Sequence, residues 1–225
     1  MQTKERLVSQ QDMDMFLLAH KAMRRDIPTL AKTVRSLRPD QKDRMRALSG
    51  LFDILYRTVR MHHTAEDNDI CPALTAKVSA FAVHQAKLAE EHRQLMASLR
   101  ESNEDIARLA AAKGDAFTQE QAKLASKMAW LEGYVESHLG YEERDMVPCA
   151  LTCMTYQELY SISRKAVRRN SKRDVAAAFP WVLSAASDAE RTRFLSGVPW
   201  PARVLYRVWW KPDYERKVRP LAATP

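Results

Sequence analysis

The sequence predicts an all-α protein: an up-down-up-down four-helix bundle followed by short C-terminal helices. Three observations predict it. Four long segments carry apolar residues at three- and four-residue spacing, the period of a helix with one buried face. Short connections rich in turn-forming residues separate them, which suits antiparallel neighbours. The 225 residues include only 5 Gly and are 46% hydrophobic, with Ala, Leu, Met, Lys, Arg and Glu abundant, a balance that favours helix over sheet. At this length one good-sized domain, or a domain with an appendage, is expected.

The first helix is expected over 11–37, through Met15, Leu18 and Ala22, with Pro28 kinking it or marking an irregular turn. Arg38-Pro39-Asp40 punctuates. The second helix is expected over 40–70 through Leu48, Leu51, Leu55 and Val59, ended by Pro72. The third is expected over 76–112, stopping at the Lys113-Gly114-Asp115 turn. Thr118 with Gln121 reads as a capping box for the fourth, which runs through Leu124, Met128, Leu131 and Val135 to about 146 before Pro148. Beyond it, Thr155-x-x-Glu158 and Ser187-x-x-Glu190 predict short helices near 156–169 and 188–196. Pro180, Pro199, Pro201 and Pro212 are expected to break up the rest.

Charge divides the chain in the same place. Residues 1–150 hold 22 Lys+Arg and 22 Asp+Glu, whereas 151–225 hold 14 and 6, so the whole net charge of +8 sits in the last third. All six histidines lie between 20 and 138. The expected organisation is a neutral, histidine-bearing bundle over 1–150 and a basic, Trp- and Pro-containing extension over 151–225. No run of about 18 apolar residues suggests a membrane span. The first residues lack the apolar core of a signal peptide. Three cysteines, Cys71, Cys149 and Cys153, argue against a disulfide framework, and a reduced, cytoplasmic compartment is the default. Phosphate-binding glycine loops, C-x-x-C knuckles and nucleophile elbows are missing.

The chemistry concentrates in a repeat. The segments 62-HHTAEDNDICP-72 and 138-HLGYEERDMVP-148 both read H-x-x-x-E-[DE]-x-x-x-x-P, and both lie at the C-terminal end of a predicted long helix. Residues four apart differ by about 40° and one turn, so His62 shares a face with Glu66, and His138 with Glu142. Imidazole and carboxylate suit iron, and a carboxylate can bridge two metals. Helices one and three each offer a lone histidine, His20 and His92, and the separations 20–62 and 92–138 are alike, 42 and 46 residues. The bundle thus reads as two hairpins, each carrying one lone His and one HxxxE.

On these residues the chain resembles the hemerythrin-like, or HHE cation-binding, family. The segments 20-HKAMRRDIPTLA-31, 62-HHTAEDNDICPAL-74, 91-EHRQL-95 and 138-HLGYEERDMVP-148 carry the resemblance, which covers roughly 12–150. It implies a four-helix bundle around a non-haem di-iron centre with an oxo or hydroxo bridge. The implied ligands are His20, His62, Glu66, His92, His138 and Glu142, with the two glutamates bridging. Ligand type alone leaves manganese and zinc open. Oxygen-carrying hemerythrins have a fifth histidine one turn from the lone histidine of helix three; here those positions are Leu88 and Met96. His84 is eight residues, about 12 Å, from His92, too far to replace it. The resemblance is therefore to the HHE branch, with open metal positions for a small oxidant: O2, peroxide or NO. It implies binding, sensing or reaction with such a ligand, in oxidative or nitrosative stress or iron homeostasis, and it leaves turnover undecided.

The neighbours of these ligands have plainer readings. His63 lies about 100° round the helix from His62 and reads as surface or as a partner behind the ligands, although it forms a competing pair with Asp67. Glu91 and Glu143 read as solvated surface, with hydrogen bonding to a ligand imidazole as the alternative. Tyr141 reads as packing between helices, with a position facing the site as the alternative. The tail 198-VPWPARVLYRVWWKPDYERKVRP-220 interleaves aromatic and basic residues. It is expected to pack back on the bundle, to serve a protein partner or dimer, or to touch anionic lipid or nucleic acid, the last disfavoured by the lack of any nucleic-acid motif. Related bacterial HHE proteins carry similar extensions.

Overall fold

The computed structural model describes residues 5–222, and they are helical almost throughout. The bundle comprises α1 (Asp14–Ser36), α2 (Lys42–Ala65), the short α3 (Cys71–Lys77), α4 (Ala82–Ala111), α5 (Asp115–Tyr141) and the short α6 (Val147–Cys153). The extension adds α7 (Tyr156–Arg169), α8 (Lys172–Ser184), α9 (Asp188–Ser196), α10 (Trp200–Leu205) and α11 (Lys211–Ala222). Among the described residues there is no strand, only an isolated antiparallel bridge between Leu7 and Thr155. The four long helices pack around Leu18, Met23, Leu30, Leu48, Phe52, Leu55, Leu95, Leu99, Leu124, Met128 and Leu131, all buried. Each such side chain contributes about 1.5–3 kcal/mol by leaving water.

Two prolines behave differently from the expectation. Pro72 and Pro148 do not end their helices. A π-helical turn, Glu66–Ile70 after α2 and Glu142–Met146 after α5, precedes each, and the chain then continues as α3 or α6 with the proline in its first turn. The physical reason is local. A proline ring crowds the carbonyl four residues back and offers no N–H. Widening the turn relieves that crowding, and the N–H of Cys71 and of Val147 reaches back five residues to Glu66 and Glu142. Pro28 lies inside α1, as expected, whereas Pro180 lies inside α8 rather than breaking the chain.

The fourth helix also starts earlier than the capping signal implied. Gly114, at φ 53°, makes the reversal that lets α5 begin at Asp115, a conformation few other residues tolerate. Thr118 lies inside the helix, and Gln121 instead donates to the carbonyls of Val34 and Leu37 at 2.7 and 2.8 Å, satisfying the C-terminal end of α1. The capping boxes at Thr155–Glu158 and Ser187–Glu190 both form and start α7 and α9 as predicted.

The extension packs along α1 and α2 and shares their core through Trp181, Val182, Leu183, Tyr206 and Tyr214. Trp181 is fully buried, and its indole N–H donates to Asp26 at 2.7 Å. A second apolar cluster, including Val8, Met13, Ile70, Leu74, Phe81, Leu88, Met146, Val147 and Met154, closes the end of the bundle where the two π turns lie.

Candidate metal centre

The chain delivers its ligand-type side chains to one depth of the bundle. His20 comes from the second turn of α1, His62 from the last turn of α2, His92 from the middle of α4 and His138 from the end of α5. Glu66 and Glu142 open the two π turns. His20, Glu66, His92, His138 and Glu142 are buried, and the His62 side chain is nearly so.

The two carboxylates lie between two groups of imidazoles. Glu142 Oε2 is 3.2 Å from His20 Nε2, while its Oε1 is 3.2 Å from His92 Nε2 and 3.0 Å from His138 Nε2. Glu66 Oε1 is 3.4 Å from His62 Nε2, and its Oε2 is 3.6 Å from His92 Nε2. His20 and His62 bring their Nε2 atoms within 3.1 Å of each other. Two sets of donor atoms can each gather round a cation: His20, His62, Glu66 and Glu142 in one, and His63, His92 and His138 in the other. Within each set the atoms lie within 4.8 Å of one another.

Outer carboxylates hold three of the rings. The Nδ1–H of His20 donates to Glu143 at 2.8 Å, that of His92 to Asp67 at 2.7 Å, and that of His138 to Glu91 at 2.9 Å. Each bond fixes the tautomer, leaving Nε2 as the lone-pair atom facing the centre, the usual carboxylate–histidine support of a metal ligand. Arg24 donates to the same Glu143 oxygen at 2.6 Å. Phe16 packs on His20 and His62, with ring centroids 4.4 and 4.7 Å away.

The electrostatics are those of a dry, donor-rich site. Burial, reinforced by neighbouring histidines, drives His62 and His63 well below the ordinary imidazole value. Burial would lower His20 too, but Glu142 and Glu143 outweigh it and raise it. The same balance, with Asp67 and Glu142 as partners, raises His92 to about 9. Burial and the nearby Glu142 push Glu66 well up. Glu142 goes the other way: the close imidazoles of His138, His20 and His92 overcome burial and hold it low. Glu143, bonded by His20 and then Arg24, falls to about 2. Several buried atoms have no hydrogen-bond partner: both Glu66 oxygens, Glu142 Oε2 and both ring nitrogens of His63. Buried polar atoms are rarely left so. Divalent cations would take up the free carboxylate oxygens and one nitrogen of His63, and the donor set fits that need.

The structure brings all six predicted ligands together and revises their surroundings. His63 is not on the surface: it is buried, and its ring stacks on His92 at 4.0 Å. Glu91 and Glu143 are not free in solvent but bonded to His138 and His20. Tyr141 turns its hydroxyl to His84 Nδ1 at 2.6 Å, under Lys87, rather than to a ligand histidine. Asp67, Arg24 and Phe16 also shape the site, roles that the helical period of the sequence does not mark. A signal for Asp67 existed, since both repeats carry an acid directly after the HxxxE glutamate.

No curated protein and no solved structure matches the chain significantly. A family match is found nonetheless. It covers residues 12–150, the stretch that holds α1 to α5 and the start of α6, and is described as the Hemerythrin HHE cation binding domain. With well over half its length in that match and a buried histidine–glutamate cluster where the bundle closes, the chain belongs to the hemerythrin HHE cation-binding family.

Proposed function

We propose that this protein is a cytoplasmic non-haem di-iron protein that binds, senses or reacts with O2, peroxide or NO, in the response to oxidative or nitrosative stress or in iron homeostasis. The observation that supports it most is the position of Glu66 and Glu142, whose paired oxygens reach toward both groups of imidazoles. Such carboxylates can hold two ions about 3.5–4 Å apart. In this reading residues 1–150 carry the centre and 151–225 form the extension fastened to it. Bound iron would supply the change of oxidation state and the open position for a small ligand. His20, His62, His92 and His138 would hold it as neutral donors, and Glu143, Asp67 and Glu91 would keep three of those rings aligned. The apolar end cluster and Phe16 would keep bulk water away.

Anaerobic Fe(II) loading followed by metal analysis and absorption spectroscopy of the oxidised form tests the claim. About two irons per chain are expected, with charge-transfer absorption characteristic of a bridged ferric pair. Retention of manganese or zinc in preference to iron would replace the metal and keep the site. Steady consumption of peroxide or NO beyond the iron present would assign turnover; stoichiometric oxidation alone would leave binding or sensing.

One observation favours a second, regulatory reading. From α7, Arg169 and Lys165 pair with Asp69 at 3.0 and 3.8 Å, inside the π turn that begins with Glu66. The extension therefore touches the segment that carries a bridging carboxylate, and a partner engaging the basic tail would act on that turn. Loss of a captured partner on truncation after residue 155, with iron retained, would support this reading.

A further inference from the structure

His63 is the residue that the HxxxE pattern does not use. It is 2% exposed, and neither ring nitrogen has a hydrogen-bond partner. Its ring centroid lies 4.0 Å from that of His92, 5.4 Å from that of His138 and 5.9 Å from that of His62. A nitrogen of His63, one of His92 and one of His138 all fall within 4.8 Å of one another. A packing role would not call for an imidazole. The equivalent position of the second arm, next to His138, is the buried Leu139, which fills its space with no polar atom to satisfy.

We propose that His63 is a metal ligand, so that one ion takes three histidines, His63, His92 and His138, and the other takes two, His20 and His62. The inference rests on reading the cluster as a two-metal centre, with Glu66 and Glu142 shared between the ions. It makes the centre asymmetric. The ion on the His20–His62 side has fewer protein donors and so is the one open to a small exogenous ligand. Phe16, lying on both His20 and His62, gives that side an apolar wall suited to an uncharged diatomic molecule. As it stands, the His63 ring lies flat on His92, the planes 12° apart. Two imidazoles bound in their own planes to one ion cannot remain face to face, so metal loading turns His63 off His92.

The test compares His63→Leu and His63→Glu with the unsubstituted protein, loaded anaerobically with Fe(II) and challenged with a chelator. Mössbauer spectra and thermal melts are recorded for each. For the unsubstituted protein the inference expects two iron environments. His63→Leu should keep one iron firmly and release the other at least about 10-fold more readily, while its metal-free form melts no lower than the unsubstituted metal-free protein. His63→Glu restores a donor and should recover the second iron, with a changed spectrum for that iron alone. Its metal-free form, which buries a lone carboxylate, should melt low and be rescued by iron more than the unsubstituted protein is. If His63→Leu fails to fold, the His63→Glu comparison decides. Two irons held by His63→Leu with unchanged retention and spectrum would overturn the inference and leave the di-iron reading standing. No iron uptake by the unsubstituted protein would overturn both.

Discussion

Residues 62–77 and 138–153 build the same device twice, and the two copies differ in what stands beside the shared parts. In each arm a histidine ends a long helix, a glutamate four residues on opens a π turn, and a proline sits in the first turn of the short helix that follows. In each arm the acid after that glutamate reaches across to the other hairpin. Asp67, from the first arm, accepts from His92 of the second hairpin, and Glu143, from the second arm, accepts from His20 of the first. The hairpins thus exchange orienting carboxylates. The symmetry then breaks at two places. The residue before His92 is Glu91, which holds His138; the residue before His20 is Ala19, so His62 gains no such partner from α1. Beside the arm histidines stand His63 in one and Leu139 in the other. A repeat can therefore keep its backbone and still make its two halves chemically unequal.

The largest effect should come from breaking the two glutamates proposed as bridges in turn. Glu142 lies within 3.2 Å of an imidazole nitrogen of each of three histidines, whereas neither oxygen of Glu66 has a hydrogen-bond partner. Glu142→Ala should remove both irons and also cost the metal-free fold about 3–5 kcal/mol, the scale for removing one side of a buried charged network. Glu66→Ala should remove iron as effectively while costing the metal-free fold much less. Urea midpoints of the two metal-free variants, measured side by side, check the inequality, and equal midpoints would refute it.

The crosswise carboxylates come next. Asp67→Asn and Glu143→Gln should each weaken iron retention by about 10–100-fold. The loss should fall on different ions: on the His92 side for Asp67→Asn and on the His20 side for Glu143→Gln. Chelator-competition traces resolved by Mössbauer spectroscopy would show which iron leaves first. Loss of the same iron in both variants would break the exchange described above.

The candidate ligands were legible because a helix puts residues four apart on one face, and because the pattern occurs twice. What lay beside them was not. His63 is about 100° from His62 on a helix, which in an isolated amphipathic helix takes it off the buried face. Here α2 ends inside the closed end of the bundle, and a centre wide enough for two groups of imidazoles encloses both directions. Asp67 and Glu143 were visible as acids but sit at the fifth position from the histidine, off its face; their partners belong to another hairpin, which no local period reveals. Pro72 and Pro148 looked like stops because proline clashes in an α-helix, and the π turn that relieves the clash leaves no separate mark in the sequence. Thr118 matched a capping box, but Gly114 could reverse the chain sooner. Helix α8 was hidden by Pro180 within an alanine-rich stretch. In contrast α7 and α9, each announced by a capping box, start where expected.

The extension adds a further asymmetry, since it packs on α1 and α2 of the first hairpin. Trp181→Phe keeps the apolar packing but removes the indole N–H that Asp26 accepts, and hydrogen bonds to charged groups are worth about 1.5–3 kcal/mol. The melting temperature should fall accordingly while iron content is unchanged, because the bond lies away from the centre. Loss of iron together with stability would mean that the extension holds the first hairpin's ligands in place.

The smallest effect concerns how α9 is tied to that hairpin. Lys21 of α1 donates to Glu190 at 2.6 Å, and Glu190 also closes the capping box on Ser187. The bond from Lys21, followed by those from Ser187, lowers Glu190 to about 2 from an ordinary 4.5. A carboxylate lowered in the folded state contributes stability that is present above its unfolded value and lost as the pH falls through its folded value. The stabilisation should therefore hold above about pH 4.5 and disappear toward pH 2. Because the pair is near solvent, Glu190→Gln at neutral pH should cost no more than about 1 kcal/mol, and it should flatten the acid limb of the stability curve across that window. Salt should shrink the difference between the two proteins. A Glu190→Gln curve parallel to the parent's from pH 4.5 to 2 would show that Lys21 does not hold α9, and would leave the Arg193–Asp14 pair as its polar tie to α1.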